Sequence, residues 1–368
     1  GNGSVYNRML SILGPCHMYC ATTPLNALME EFREFIPYYF DWVMHDTYDD
    51  YWRAISIKEK YDDIFIPALH VGGWYDIFLS GTIQNFMELE SRRKADPSRG
   101  RQKLVVGPWH HVPWQPKVGC VNFDSPASSP DTDDPLDDPN VSVFVLGSNK
   151  WQHFDTWPPE QAKELKLYLH SNGRANATAG DGQLSSIKPS KEPWDSFIYD
   201  PTAAVPSAGG HSCCFEDVLP MGACDQSANQ GRNDILIYST EPLADDVTIA
   251  GAVSIELFAA SSVCDTDFTA ILSDVDPSGK AINICNGIIR TGRITKNQFA
   301  PLIPGQIYSF TITLGWTAAC FKRGHRMRIE ISSSNFPHYD RNPNTGNRFS
   351  DLPEWKPARP IIYHDDEH

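Results

Sequence analysis

The chain has 368 residues, 41% of them hydrophobic and 21% charged, which is ordinary for a globular protein with a substantial core and room for two or three domains. Its net charge of −15 argues against nucleic acid and anionic membrane as partners. The longest apolar run, 249–260, is interrupted by Ser254 and Glu256, so no segment approaches a membrane span.

Residues 1 to about 57 read as helical. Thr23-Pro24 has the form of an N-cap and a first-turn proline, and Leu25, Leu28, Met29, Phe32 and Ile36 then share one face until Pro37, which is expected to end that helix. The aromatic-rich segment from Tyr38 to Trp52 suits either a cap over a pocket or plain helix–helix packing. Cys16-His17-Met18-Tyr19-Cys20 has no second half to complete a metal site, so scattered thiols are the expectation. Asn2, Asn140 and Asn176 lie in glycosylation sequons, which leave the compartment open between cytoplasmic and secreted. With neither an initiator Met nor a signal pattern, the chain reads as starting in mid-protein.

Residues 58–158 carry two short apolar strands, each followed by residues able to move protons. Leu69-His70-Val71-Gly72-Gly73 leads to Asp76, and Leu104-Val105-Val106-Gly107 leads to His110 and His111. Between them Phe78, Ile83, Phe86 and Leu89 have helical spacing, so the unit reads strand–helix–strand with both strands parallel and their C-terminal ends on one edge. An acid and then a histidine on that edge is the order of the second half of an α/β-hydrolase triad. On spacing alone Asp76 is equally a helix-capping residue, and His110 and His111 are not separable. No serine lies in Gly-x-Ser-x-Gly; Ser4 and Ser212 each have one glycine nearby but no strand-to-helix elbow. The acidic stretch from Asp124 to Asp138 lacks calcium-loop spacing and reads as a solvated loop before a strand at 141–146.

From residue 159 the pattern is β throughout, with strands expected at 165–170, 234–239, 247–260, 267–274, 281–290, 306–314 and 326–333. In the last, Met327, Ile329 and Ile331 alternate with Arg326, Arg328 and Glu330. Strands without intervening helices imply a β-sandwich of jelly-roll type over 159–368.

Gly72-Gly73-Trp74-Tyr75-Asp76, Gly107-Pro108-Trp109-His110-His111 and the stretch 331–346 (ISSSNFPHYDRNPNTG), with Tyr199-Asp200-Pro201, the 205–210 segment, Asp225-Gln226 and Thr266-Asp267, resemble the bacterial cocaine esterase and X-Pro dipeptidyl-peptidase family over nearly the whole chain. The resemblance implies a helical cap (1–57), the C-terminal part of an α/β-hydrolase domain (58–158) and a jelly-roll. It also implies a serine hydrolase of esters or amides needing neither metal nor cofactor. By position Asp76 matches the triad acid, and His111 the triad base, because the family pattern is Gly-Pro-Trp-x-His. Phe78 falls where an acyl pocket is lined, and Phe215 is expected to reach the same pocket. The expected partner is a small ester or peptide, with a homodimer left open.

The family's nucleophile elbow and oxyanion tyrosine lie upstream of anything in this sequence, so roughly the first third of such an enzyme is expected to be missing. Ile77-Phe78-Leu79 stand where the α-amino-acid ester hydrolases carry acids, which favours an apolar acyl group. The alternative is a non-catalytic protein whose jelly-roll binds a ligand or partner.

Overall fold

The computed structural model describes residues 37–45, 47–111, 115–124, 127, 139–212, 220–293, 300–346 and 354–368. Helix α1 (Tyr38–Met44) begins at Pro37, whose φ of −60° and ψ of −33° are already helical. Proline suits this opening position because its fixed φ fits the first turn and its missing N–H is an orphan there anyway. The helix expected over 23–36 lies outside the described residues. α2 (Asp50–Ile55) is capped by Asp49, whose carboxylate accepts from the N–H groups of Tyr51 and Trp52. Tyr38 and Trp42 pack with ring centroids 4.8 Å apart and planes tilted by 51°, yet both stay nearly half exposed.

A four-stranded sheet follows, in the order β1 (Ala68–Gly73), β2 (Gln102–Gly107), β5 (Val141–Val145), β6 (Lys150–Phe154). The first three strands are parallel, and β6 returns antiparallel to β5. α3 (Leu79–Ala95) makes the crossover from β1 to β2 and buries Ile83, Phe86 and Leu89 as their spacing predicts, but Leu79 takes the buried place expected of Phe78, which sits at the N-cap and is 56% exposed. β2 and β5 are buried along their whole length, polar Gln102, Lys103 and Ser142 included, and their apolar residues cluster in short runs such as Leu104-Val105-Val106. Among the described residues β1 pairs on one side only, and beside it Phe65, Ile66 and Leu69 are about half exposed or more. A small hairpin, β3 (Lys117–Val118) and β4 (Val121–Asn122), stands between β2 and β5 in the chain.

The remaining strands are β7 (Tyr168–His170), β8 (Gln183–Ser185), β9 (Asp195–Ser196), β10 (Leu236–Ser239), β11 (Val247–Ser261), β12 (Asp267–Val275), β13 (Ala281–Arg290), β14 (Tyr308–Phe321), β15 (Arg326–Ser332) and β16 (Pro360–Tyr363). They form a six-stranded sheet, β13-β12-β15-β10-β8-β7, and a four-stranded sheet, β14-β11-β16-β9. The two meet through apolar faces, with Phe268 of β12 and Phe310 of β14 at 5.5 Å between ring centroids. The core runs on without a break into the parallel sheet: the N–H of Leu146 donates to Ala318, and that of Cys320 to Leu146.

β15 alternates as its sequence predicts, but its charged face does not look onto solvent. Glu330 is buried, accepting from Gln230 Nε2 at 2.8 Å and Ser273 Oγ at 3.0 Å. Several of the sequence motifs around this sheet meet in a second buried network. Arg290 holds Asp267 with two hydrogen bonds of 2.8 Å, Asn342 donates to Asp265 and Asp267, and the Tyr199 hydroxyl donates to the Asn342 carbonyl. These bonds tie the 334–346 stretch to the sandwich, and ion pairs of this bidentate kind fix geometry as well as charge.

Candidate active site

β1 and β2 end in register, Gly73 opposite Gly107, and their backbones stay paired after the strands stop. The N–H of Trp74 donates to Gly107 O at 2.9 Å, and that of Tyr75 to Trp109 O at 2.9 Å. This close passage requires glycine on both sides. A Cβ on Gly73 would stand 2.1 Å from the Trp109 carbonyl oxygen, and one on Gly107 would stand 2.4 Å from the Trp109 indole. The aromatic residues that follow are anchors. Trp74 is fully buried and donates its indole N–H to Phe144 O at 2.6 Å, and Trp109 donates its own to Ala127 O at 2.8 Å. The Tyr75 hydroxyl crosses to the sandwich and donates to Asn283 O at 3.0 Å.

With both exits held, Asp76 and His111 meet, His111 Nδ1 lying 3.2 Å from Asp76 Oδ2. Asp76 is buried, with 7% of its surface exposed, whereas the His111 side chain retains 36% of its exposure. The two sequence readings of Asp76 turn out to be compatible. Its second oxygen, Oδ1, accepts from the N–H of Phe78 at 2.8 Å and shapes the turn into α3, while Oδ2 faces the imidazole. His110, the alternative partner on spacing, is buried at 1% exposure.

A carboxylate at Nδ1 selects the tautomer that carries its proton there, leaving Nε2 with a lone pair for proton abstraction. Phe78 stands beside the imidazole, ring centroids 4.9 Å apart and edge-on, and is more than half exposed. Phe215 lies outside the described residues. Ser212 is buried, with its hydroxyl donating to Gly210 O at 3.3 Å and its N–H to Tyr75 O at 3.0 Å. It braces the backbone next to Asp76.

Sequence reasoning passed over a cleft of about 450 Å³ on the far side of Asp76, lined by Ile77, Ser80, His211, Asn286, His338 and Tyr339. Burial, and then the neighbouring His211, push the His338 imidazole down to about 4. Burial also lowers His211, against the opposing pull of Asn286 and of the Asp76 charge. Both are therefore neutral rings at pH 7. Their only local signal is the Gly209-Gly210 pair with positive φ that brings the chain in. Among the described residues no group of three or more His, Cys, Asp or Glu is placed to hold a metal ion, and no helix is long and apolar enough to cross a membrane.

Residues 17–113 match the X-Pro dipeptidyl-peptidase (S15 family) profile, and residues 136–368 match the X-Pro dipeptidyl-peptidase C-terminal non-catalytic domain. Cocaine esterase of Rhodococcus sp. (strain MB1 Bresler) is 36% identical over 332 residues, covering 84% of this chain and 56% of that protein. A putative serine esterase of Mycobacterium bovis is 26% identical over 333 residues, covering 79% of this chain and 48% of that protein. In fold, the chain superimposes on an aminopeptidase from a marine-sediment Thaumarchaeota archaeon and on an α-amino acid ester hydrolase. Both comparisons give a TM-score of 0.81 at 24% identity; they cover 96% and 95% of this chain and, in each case, 62% of the other. The chain thus spans about half the length of the curated relatives it matches.

Proposed function

The chain belongs to the cocaine esterase and X-Pro dipeptidyl-peptidase family, and on that premise we propose that it supplies the acid and base of a serine ester or amide hydrolase. The observation that carries this reading is the 3.2 Å contact between His111 Nδ1 and Asp76 Oδ2 at the C-terminal edge of a parallel sheet. His111 takes the proton of a serine hydroxyl at Nε2 and returns it to the leaving group, while Asp76 holds the ring and stabilises the imidazolium formed in between. The serine and its oxyanion donors come from polypeptide beyond these 368 residues, since no serine here sits in a nucleophile elbow. The open side of β1, with Phe65, Ile66 and Leu69 exposed beside it, is where strands carrying that elbow would pair.

Exposed Phe78 beside His111, with apolar Ile77 next to it in sequence, favours an apolar acyl group over a free α-ammonium, and Phe215 is the residue that the family resemblance assigns to the same pocket. Residues 1–57 act as the cap, 58–158 as the C-terminal part of the hydrolase domain, and 159–368 as a jelly-roll that walls the site. No step asks for a metal or cofactor. The match of residues 136–368 to a non-catalytic domain favours a second reading for that part, a module that binds a ligand or partner without chemistry.

The test joins this chain, by mixing or by fusion, to the portion of a homologous esterase that it does not span, and follows a small chromogenic ester. Hydrolysis that needs both pieces and vanishes in His111→Ala supports the proposal. A stable complex without hydrolysis, or hydrolysis indifferent to His111→Ala, leaves the binding-module reading in its place.

A further inference from the structure

Cys120 and Cys224 are 104 residues apart in sequence, yet their Sγ atoms lie 3.6 Å apart. Cys120 is exposed, in the tight turn between β3 and β4, and Cys224 is buried. Backbone contacts on both sides impose the approach. The N–H of Cys120 donates to Ala223 O at 2.7 Å, and the N–H of Cys224 donates to Asn283 Oδ1 at 2.6 Å. Gly119, with φ of +63°, lets the turn sit down on its neighbour: a Cβ there would stand 2.4 Å from Met221 O and 2.5 Å from Ala223 O. The two sulfurs are in contact on anchored backbones, and side-chain rotation must bring them about 1.5 Å closer to reach the bonding distance of about 2.05 Å.

We propose that Cys120 and Cys224 form a reversible disulfide when the chain meets a low-molecular-weight disulfide such as oxidised glutathione, and that this bond pins the hairpin following His111 to the sandwich. The Cys120 thiolate attacks one sulfur of the small disulfide, expelling one small thiol and leaving a mixed disulfide on Cys120. The Cys224 thiolate then attacks Cys120 Sγ and expels the second small thiol. Two protein thiols are oxidised, one small disulfide is reduced to two thiols, and the protons lost by the cysteines pass to the departing thiolates. Exposure fixes the order, because only Cys120 is open to a small reagent. Burial, with the adjoining Cys120 thiol, pushes Cys224 up to about 12 and makes its attack the slow step.

The bond has structural reach toward the site. Cys224 follows Gly222, which exchanges two backbone hydrogen bonds with Gly210, at 2.8 and 3.0 Å. Ser212, two residues on, donates its N–H to Tyr75 beside Asp76. A disulfide here joins the segment after the base to the segment that braces the acid. Cys213 and Cys214 lie in the same stretch of sequence, outside the described residues, and are the competing thiols.

The 368-residue chain is equilibrated with oxidised and reduced glutathione, free thiols are alkylated, and the digest is mapped by mass spectrometry. The expected result is a peptide joined through Cys120 and Cys224. With it should come a rise in Tm of at least ~5 °C, as expected for closing so long a loop. The rise should be reversed by dithiothreitol and absent in Cys120→Ser, an exposed position whose substitution leaves the fold intact. The proposal is overturned if both cysteines are alkylated after oxidation, if Cys224 pairs with Cys213 or Cys214, or if the linked chain melts at the temperature of the reduced one.

Discussion

Replacing Gly73 with alanine sets a methyl group 2.1 Å from the Trp109 carbonyl oxygen, a backbone atom that cannot swing aside. The exits of β1 and β2 must part by about 1 Å to restore an ordinary contact, and that is enough to break the 2.9 Å bond from Tyr75 N–H to Trp109 O. A buried N–H left without a partner costs about 1–3 kcal/mol, and forcing a group into a packed site costs about 1–3 kcal/mol more. Gly73→Ala should therefore destabilise the chain by roughly 2–6 kcal/mol in urea titration, and should shift or abolish the low-field Nδ1 proton signal of His111, whose 3.2 Å contact with Asp76 lies just beyond the same opening. Gly72→Ala is the control. Its nearest neighbour is the Thr82 methyl at 3.3 Å, which can yield, so its cost should stay below about 1 kcal/mol. A Gly73→Ala protein within about 0.5 kcal/mol of the parent, with its His111 proton unmoved, would refute the argument that this glycine sets the site.

Burial raises Glu330 from 4.5 to about 7, despite its bonds to Gln230 and Ser273. The folded state keeps a proton that the unfolded chain releases, so this group lowers stability as pH climbs from 4.5 to 7. Above that the loss is constant, at roughly 3 kcal/mol from about 1.36 kcal/mol per pH unit. Glu330→Gln should gain on the parent by up to that amount at pH 8 and by little near pH 4.5; a pH-independent difference in urea midpoints would contradict this. His364 behaves oppositely. Burial lowers it, but the 2.9 Å contact with Asp195 overrides burial and leaves it above 6.5, so its contribution is complete below pH 6.5 and is lost as pH rises through the folded value. Parent Tm should fall across that alkaline limb while His364→Gln stays flatter, and parallel curves would count against the pairing.

What sequence could show, and what it could not, divides by the range of the interaction. β2 and α3 were legible because a buried strand centre writes a short apolar run, Leu104-Val105-Val106, and a crossover helix writes a 3.6-residue spacing, while β1, only partly buried, was legible from the short run that leads into Gly72-Gly73. The long strands β11 to β15 were legible as β-type runs between turns, with a clean alternation only in β15, although β14 runs on to Phe321 past its expected end. Two- to four-residue strands such as β9 and β16 carry too few residues to show a period. The cover over Glu330 was invisible because Gln230 arrives from 100 residues away. At the site, Asp76 and His111 were legible as strand-end residues, whereas the choice between His110 and His111 came from the Gly-Pro-Trp-x-His resemblance, because spacing alone does not separate neighbours. Beyond the Gly209-Gly210 pair nothing local marks His211 or His338, and nothing local marks the Cys120–Cys224 contact.

The most direct measurement is the rate of ester hydrolysis by the completed enzyme carrying Asp76→Asn. If Asp76 fixes the imidazole tautomer, kcat should fall by about 10⁴ while the fold persists, because an amide can offer His111 the wrong hydrogen-bonding partner. A loss below about tenfold in a folded variant would mean that the Asp76–His111 pair is structural, and the catalytic reading would fall.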